Sequence, residues 1–305
     1  MKSLLEQYKE ILYDDEFYKT LGNYLKVPSL KRLNNIGYFC GMDYASKDIY
    51  DFPEYISRYD HSLSVALITW KLTKDKKSTI AALFHDISTP CFSHVIDYMN
   101  KDYKNQESTE MFTYDILKND KELLECLKQD NLNIEDISNF KKYSIVDNDR
   151  PKLCADRLDG IILTGLYWTK DLYKDDIKNI IDNVVVYKNE FDELEIGFKN
   201  IQIAEFVVRV NKNIDVYCHS KEDNYMMELL ADITRCAINK NIINYKELFI
   251  LDEKTLFKIL IKCDDVEIKE KIVKFQSIKL SDIPDINLPD VKIRTLKPLV
   301  YYKRI

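Results

Sequence analysis

Glycine is scarce in this chain, with six in 305 residues, at positions 22, 37, 41, 160, 165 and 197. Neither a G-x-G-x-x-G fingerprint nor a G-x-x-x-x-G-K-[ST] loop can be written with that set, so both glycine-built phosphate cradles are excluded. Prolines number only seven, and so few chain breakers favour helices over a turn-rich β-sandwich. The seven cysteines (40, 91, 126, 154, 218, 236 and 263) include no C-x-x-C pair, which excludes a zinc ribbon and a thioredoxin-like centre. No apolar run approaches the roughly 20 residues of a membrane span. The opening MKSLLEQYKEILYDDEF breaks its apolar residues with Glu6, Lys9 and Glu10, unlike a signal peptide. These absences lead us to expect a cytoplasmic protein in a reducing compartment, with no membrane partner. Excess positive charge is also missing: 45 Lys and Arg face 51 Asp and Glu, a net charge of −6. That balance argues against general nucleic-acid binding, and the 21 tyrosines, spread singly along helices, do not reverse it. A local basic pocket is compatible with it.

What is present is ordinary for a globular chain, at 46% hydrophobic and 31% charged residues. Residues 1–20 read as one acidic amphipathic helix, and Pro28 suits the first turn of a helix in 27–39. Helices are expected at about 61–73, 78–87 and 93–100, with a more polar pair in 107–128. A loop-like stretch follows at 130–150, and LCADRLDGIILTGLYW (153–168) reads as a buried helix. Alternation around a polar turn in 183–200 predicts the one β-hairpin. Helices return at about 201–219, 224–239 and in DEKTLFKILIK (252–262), after which Pro284, Pro289 and Pro298 mark an extended tail. The expectation is an all-α fold: a core over 1–240, one small hairpin, and a C-terminal helical extension over 241–305.

Chemistry concentrates on the histidines. Of the four, His61, His85 and His94 fall within 34 residues, and His85 is followed by Asp86 inside the otherwise apolar AALFHDI. An imidazole and a carboxylate buried side by side are costly unless paired or bound to a cation. His61 opens the preceding buried helix 24 residues earlier, a distance that suits a helix–loop–helix return. Two imidazoles and a carboxylate suit Mn, Fe, Co, Ni, Zn or Mg, and Asp156, at the edge of an apolar helix beside Arg157 and Asp159, is the best fourth ligand. The alternative reading of the same residues is a helix cap or a buried salt bridge. His219, in VYCHSKED, reads as a helix C-terminal cap.

Four segments in order, RYDH (58–61), HD (85–86), FSHVID (92–97) and ADRLD (155–159), resemble the HD-domain metal-dependent phosphohydrolases. The nearest likeness is to the dGTPase-like deoxynucleoside triphosphate triphosphohydrolases, whose upstream T-P-x-F-Q-R-L-R-x-I segment is similar to VPSLKRLNNIG (27–37). The likeness covers roughly residues 25–170. It implies an HD-domain helical core and one divalent metal ion held by His61, His85, Asp86 and Asp156. It further implies phosphate contacts from Arg58 and Arg157, with Arg32 in the upstream segment. His94, oriented by Asp97, handles the proton. The implied partner is a small phosphorylated substrate, a nucleotide or deoxynucleotide, and self-association is common in that branch. Of the 45 basic residues only eight are arginines, and Arg32, Arg58 and Arg157 all lie in these segments, as planar forks suited to phosphate.

The departures are equally specific. Thr89 stands where active members carry a histidine, and Gln106–Glu107 where another histidine precedes the glutamate. Ser88 and Pro90 replace glycines, Gly160 and Thr164 replace a sugar-holding tyrosine and aspartate, and Tyr38 stands for a base-contacting glutamine. The HD-GYP branch is disfavoured, because its GYP segment and further histidines are absent. Two functions follow: a phosphohydrolase, or a nucleotide-binding regulatory protein that keeps the metal and has lost efficient turnover.

Overall fold

Ser3 and Glu6 close a capping box at the start of Leu4–Leu12 (α1). The extended backbone of Tyr13 then frees Asp14 to accept the amide of Phe17 and cap Asp15–Leu21 (α2). The single helix expected over 1–20 is therefore two, because Asp14 is a better cap than a helix-interior residue. The computed structural model describes residues 2–106 and 108–305, so Met1 and Glu107 lie outside the described residues.

Pro28 occupies the first turn of Pro28–Arg32 (α3), which tightens into a 3₁₀ turn over Leu33–Asn35. Arg58–Thr73 (α4) begins at a capping box between Ser57 and Asp60, and Lys76–Phe84 (α5) at an Asp75 cap. Both helices are buried almost all round, as their apolar circumference predicts. Val95–Asn100 (α6), Thr113–Asn119 (α7) and Lys121–Gln129 (α8) follow. Ile134–Ser138 (α9), capped by Asn133, lies within the stretch expected to be loop; at five residues it is too short for periodicity to show. Ala155–Tyr167 (α10) and Lys174–Asn183 (α11) lead into the hairpin Val184–Lys188 (β1) and Leu194–Phe198 (β2), paired antiparallel with Val184 opposite Phe198.

Ile201–Cys218 (α12), Lys221–Asn239 (α13), Glu247–Ile250 (α14), Glu253–Lys262 (α15) and Val266–Ser277 (α16) complete the helical part. The tail is extended, as expected, but it also builds sheet. Leu299–Val300 (β3) pairs parallel to β2, and Lys303–Arg304 (β4) returns antiparallel, giving the order β1-β2-β3-β4. Segments of two residues carry no readable alternation. Helix α4 is central, packed against α5 on one side and α10 on another, with α12 beyond α10 and α13 against α6 and α16. Among the described residues no helix is long and apolar enough to cross a membrane, and all seven cysteines are free.

Candidate metal centre

The centre is assembled where α4 starts, α5 ends and α10 starts. The amide of Arg58 donates to Ile36 O at 2.8 Å and that of Tyr38 to Ile56 O at 2.9 Å, pinning the entry of α4 beside the 37–38 loop. Three residues on, His61 is deeply buried, and its Nδ1 meets Asp159 Oδ2 at 2.6 Å while its Nε2 meets Asp156 Oδ1 at 2.9 Å. Asp156 and Asp159 share one face of α10 by their spacing of three. His85 is the C-terminal cap of α5, and Asp86 lies in the turn after it rather than on the helix expected from the sequence. His85 Nε2 stands 3.5 Å from Asp156 Oδ1 and 3.8 Å from Asp86 Oδ1, and Asp86 Oδ2 is 3.8 Å from His61 Nε2. The structure thus brings together all four residues expected to hold a metal.

The donor set fits a divalent cation on one specific observation. His85 Nδ1 lies 2.7 Å from Ala82 O, which fixes it as the protonated nitrogen. The lone pair of Nε2 then points into the cluster, buried and without a hydrogen-bond partner. An orphaned acceptor facing two carboxylates is expensive unless a cation lies between them. His61 has the carboxylate backing typical of a ligating imidazole, since Asp159 accepts from it and from the Tyr8 hydroxyl at 2.5 Å. Without a cation, burial would push His61 down, but Asp156 and Asp159 raise it to about 10. Burial opposes the charge on Asp156, yet the His61 and His85 imidazoles keep it well below the usual carboxylate range. Burial is likewise overcome at Asp86, which His85 and Arg58 hold down at about 2. Bound metal would displace that proton, since imidazole ligates as the neutral form.

A cavity of about 800 Å³ opens from this cluster. Arg58 lines it and is committed to Asp86 at 2.9 Å and to Ser93 Oγ at 3.1 Å, with its Cζ 4.9 Å from the Tyr38 ring centre. His94, about a third exposed, meets the buried Asp97 at 2.9 Å, and Asp97 also accepts the amide of Ser108. Phe92 and Ser93, which aim His94, both have left-handed backbone (φ 63° and 48°), a strain of the kind that gathers at functional sites. Tyr38 stacks at a tilt on His61, ring centres 5.1 Å apart. Its hydroxyl lies 3.2 Å from where a Cβ on Gly160 would stand. Tyr38 therefore stands in the space that a side chain at position 160 would need.

Two arginines are placed differently from their expectation. Arg32 does not line the cavity; it donates to the carbonyls of Leu251, Ile87 and Thr89. Arg157 lines it, but its guanidinium is spent on Asn148 and on the Lys152 carbonyl, bracing the 147–152 loop. Thr89 is buried off the cavity, whereas Gln106 faces it. His219 caps α12 as expected, its Nδ1 2.7 Å from Asp215 O. Sequence reasoning missed Arg150, Lys292 and Arg294, which line the same cavity. Arginine rarity, the signal that singled out 32, 58 and 157, applies equally to 150 and 294.

Residues 58–159 match the HD domain family, a stretch that opens on Arg58 and closes on Asp159 and includes every candidate ligand. About a third of the chain is thus similar to HD domains. It is 25% identical over 209 residues to the uncharacterized protein YdhJ of Bacillus subtilis (strain 168), covering 66% of this chain and 60% of YdhJ. A hypothetical protein from Aquifex aeolicus has a similar structure, with a TM-score of 0.62 at 18% identity over 86% of this chain and 74% of its own. A phosphohydrolase from Bacteroides thetaiotaomicron gives a TM-score of 0.57 at 18% identity over 84% and 72%. At such identities these two structures carry the fold.

Proposed function

We propose that the chain is a metal-dependent phosphohydrolase that cleaves a phosphate ester or anhydride of a nucleotide or deoxynucleotide, in the manner of the dGTPase-like branch it resembles. The observation that carries the reading is the unpartnered His85 Nε2 aimed at Asp86 and Asp156 beside the carboxylate-backed His61. His61, His85, Asp86 and Asp156 would hold a divalent cation, which would lower the pKa of a bound water and polarise a phosphoryl oxygen. Arg58, fixed by Asp86, presents charge to the phosphoryl group at the cavity wall. His94 holds a proton for the leaving oxygen as the oxygen–phosphorus bond to water forms and the ester bond breaks, and Asp97 steadies the imidazolium at its other nitrogen. The Bacteroides thetaiotaomicron neighbour, a phosphohydrolase by name, supports the same class. Seven free cysteines suit a reducing cytoplasm.

The test is metal content together with phosphate or pyrophosphate release from a nucleotide panel with Mn²⁺. The wild type is expected to hold a divalent ion and to release product, and His85→Ala to lose both. Unchanged metal in His85→Ala overturns the ligand set. Tight nucleotide binding without release favours the regulatory protein instead, the reading supported by Thr89 and Gln106 in place of histidines.

A further inference from the structure

From outside the HD-matched segment, which begins at residue 58, the N-terminal helix reaches the centre of the site. Helix α1 is amphipathic, and its inner face buries Tyr8 and Leu12, one turn apart. Polar links fix this helix over the start of α4 and the end of α10. Lys9 pairs with Asp60 at 2.6 Å, and Glu54 takes both the Leu5 amide at 3.1 Å and the Tyr167 hydroxyl at 2.7 Å. Tyr8 is fully buried, and its hydroxyl donates to Asp159 Oδ1 at 2.5 Å.

Asp159 is itself fully buried, and among the described residues its side chain has two partners, Tyr8 at Oδ1 and His61 Nδ1 at 2.6 Å from Oδ2. Each oxygen thus has one donor. The phenol occupies the first, which fixes the rotation of the carboxylate and turns the second to the imidazole. A carboxylate held there keeps the proton on Nδ1 and leaves the lone pair of Nε2 pointing towards Asp156 and the ion's place beside it. Burial, with Asp159 beside it, raises the Tyr8 hydroxyl well above its ordinary value, so it stays a donor. Without that hydroxyl one carboxylate oxygen is left unpaired in a dry interior, and turning to relieve the cost would draw His61 with it. A buried phenol needs only a nearby carbonyl to be satisfied; this one is spent on the acid behind a ligand.

We propose that Tyr8 is a positioning residue of the metal centre: through Asp159 it sets the orientation and tautomer of His61, and so how tightly the four-residue cluster holds a divalent cation. This role rests on the metal-centre reading and deepens it. It makes α1 a working part of the site rather than a cover over the HD-matched segment. It also divides the labour on α10, where Asp156 faces the ion and Asp159, one turn on, steadies a ligand from behind.

The experiment uses the full chain with Co²⁺ as the probe, its affinity read by competition with a chelator and its surroundings by the visible absorption bands of the bound ion. Tyr8→Phe is expected to bind Co²⁺ about 10–100-fold more weakly than the wild type and to shift those bands. Lys9→Met cuts a neighbouring tie of the same helix and is expected to leave affinity and bands unchanged. Equal losses in the two variants would show that Tyr8 only docks the helix, and would overturn the role. Should Tyr8→Phe not fold, 3-fluorotyrosine at position 8, a stronger donor of nearly the same size, is expected to shift the bands; unmoved bands overturn the role. A wild type that takes no Co²⁺ overturns the metal centre and the role together. A wild type that binds Co²⁺ no more tightly than Tyr8→Phe overturns the role alone, so the two failures are distinguishable.

Discussion

Glu253 shows how much a single buried acid can hold. Its Oε2 accepts the amides of Gly37 at 3.1 Å and Phe92 at 3.0 Å, tying together the loops that carry Tyr38 and His94, while its Oε1 faces Gly37 without a partner. Asp43 also points an unpartnered oxygen at Gly37. Burial, with Asp43 adding to it, lifts Glu253 from 4.5 to about 8 against the two amides and Arg58, which pull it down. Between those values the folded chain keeps a proton that the unfolded chain has lost. Its contribution is complete below about pH 4.5 and declines as pH rises through about 8. Asp43, pushed up to about 6 by burial, adds in the same sense. Melting temperatures at pH 5, 6.5 and 8 (about two of these within the window) check this: the wild type is expected to lose more stability with rising pH than Glu253→Gln. Parallel curves would show that Glu253 is ionised throughout.

At the scale of elements, the site depends on where helices begin. Ser57 caps α4, with Asp60 answering at 2.9 Å from the Ser57 amide and taking Lys9 at 2.6 Å. Ser57→Ala removes one half of that box, and a loss of about 1 kcal/mol is expected from a denaturant midpoint. A midpoint unchanged within error would mean that tertiary packing alone sets the start of α4. The long elements were legible in the sequence because their periodicity runs for several turns: α4, α10, α12, α13 and α15 lie close to where apolar spacing puts them. The ligand cluster was legible because His85 and Asp86 sit in an apolar context that only pairing or a cation can excuse. What could not be read was short or non-local. Helix α9 has five residues and β3 two, while the guanidinium of Arg157 turned out to be spent on its own loop, a matter of side-chain partners that no spacing encodes. Helix α16 was missed although its pattern is apolar at Ile268, Ile272 and Phe275, because the prolines that follow drew the whole segment towards a tail.

On the scale of the whole molecule, the C-terminal strands close the chain onto its hairpin. Arg304 from β4 reaches the fully buried Glu195 of β2 with two bonds of 2.8 and 2.9 Å and also takes Glu190. Among the described residues Glu195 has otherwise only the Asn189 amide, at 3.2 Å. Arg304→Ala leaves a buried carboxylate nearly uncompensated, and a cost of about 1–3 kcal/mol is expected by chemical denaturation. Arg304→Ala with Glu195→Gln should recover part of it. A double variant as unstable as the single one would mean that the arginine acts through packing on the sheet.

Tyr8, near one end of the chain, donates to the carboxylate that steadies His61, and Arg294, near the other, stands on the far wall of the same cavity. A growing polypeptide that has emerged from the ribosome as far as Asp159 already holds all four clustered side chains, while Arg294 is still untranslated. The cavity wall at Arg294 is built only after the whole cluster has been translated. Fragments trimmed to the HD-matched stretch should accordingly capture metal loosely and handle phosphates poorly.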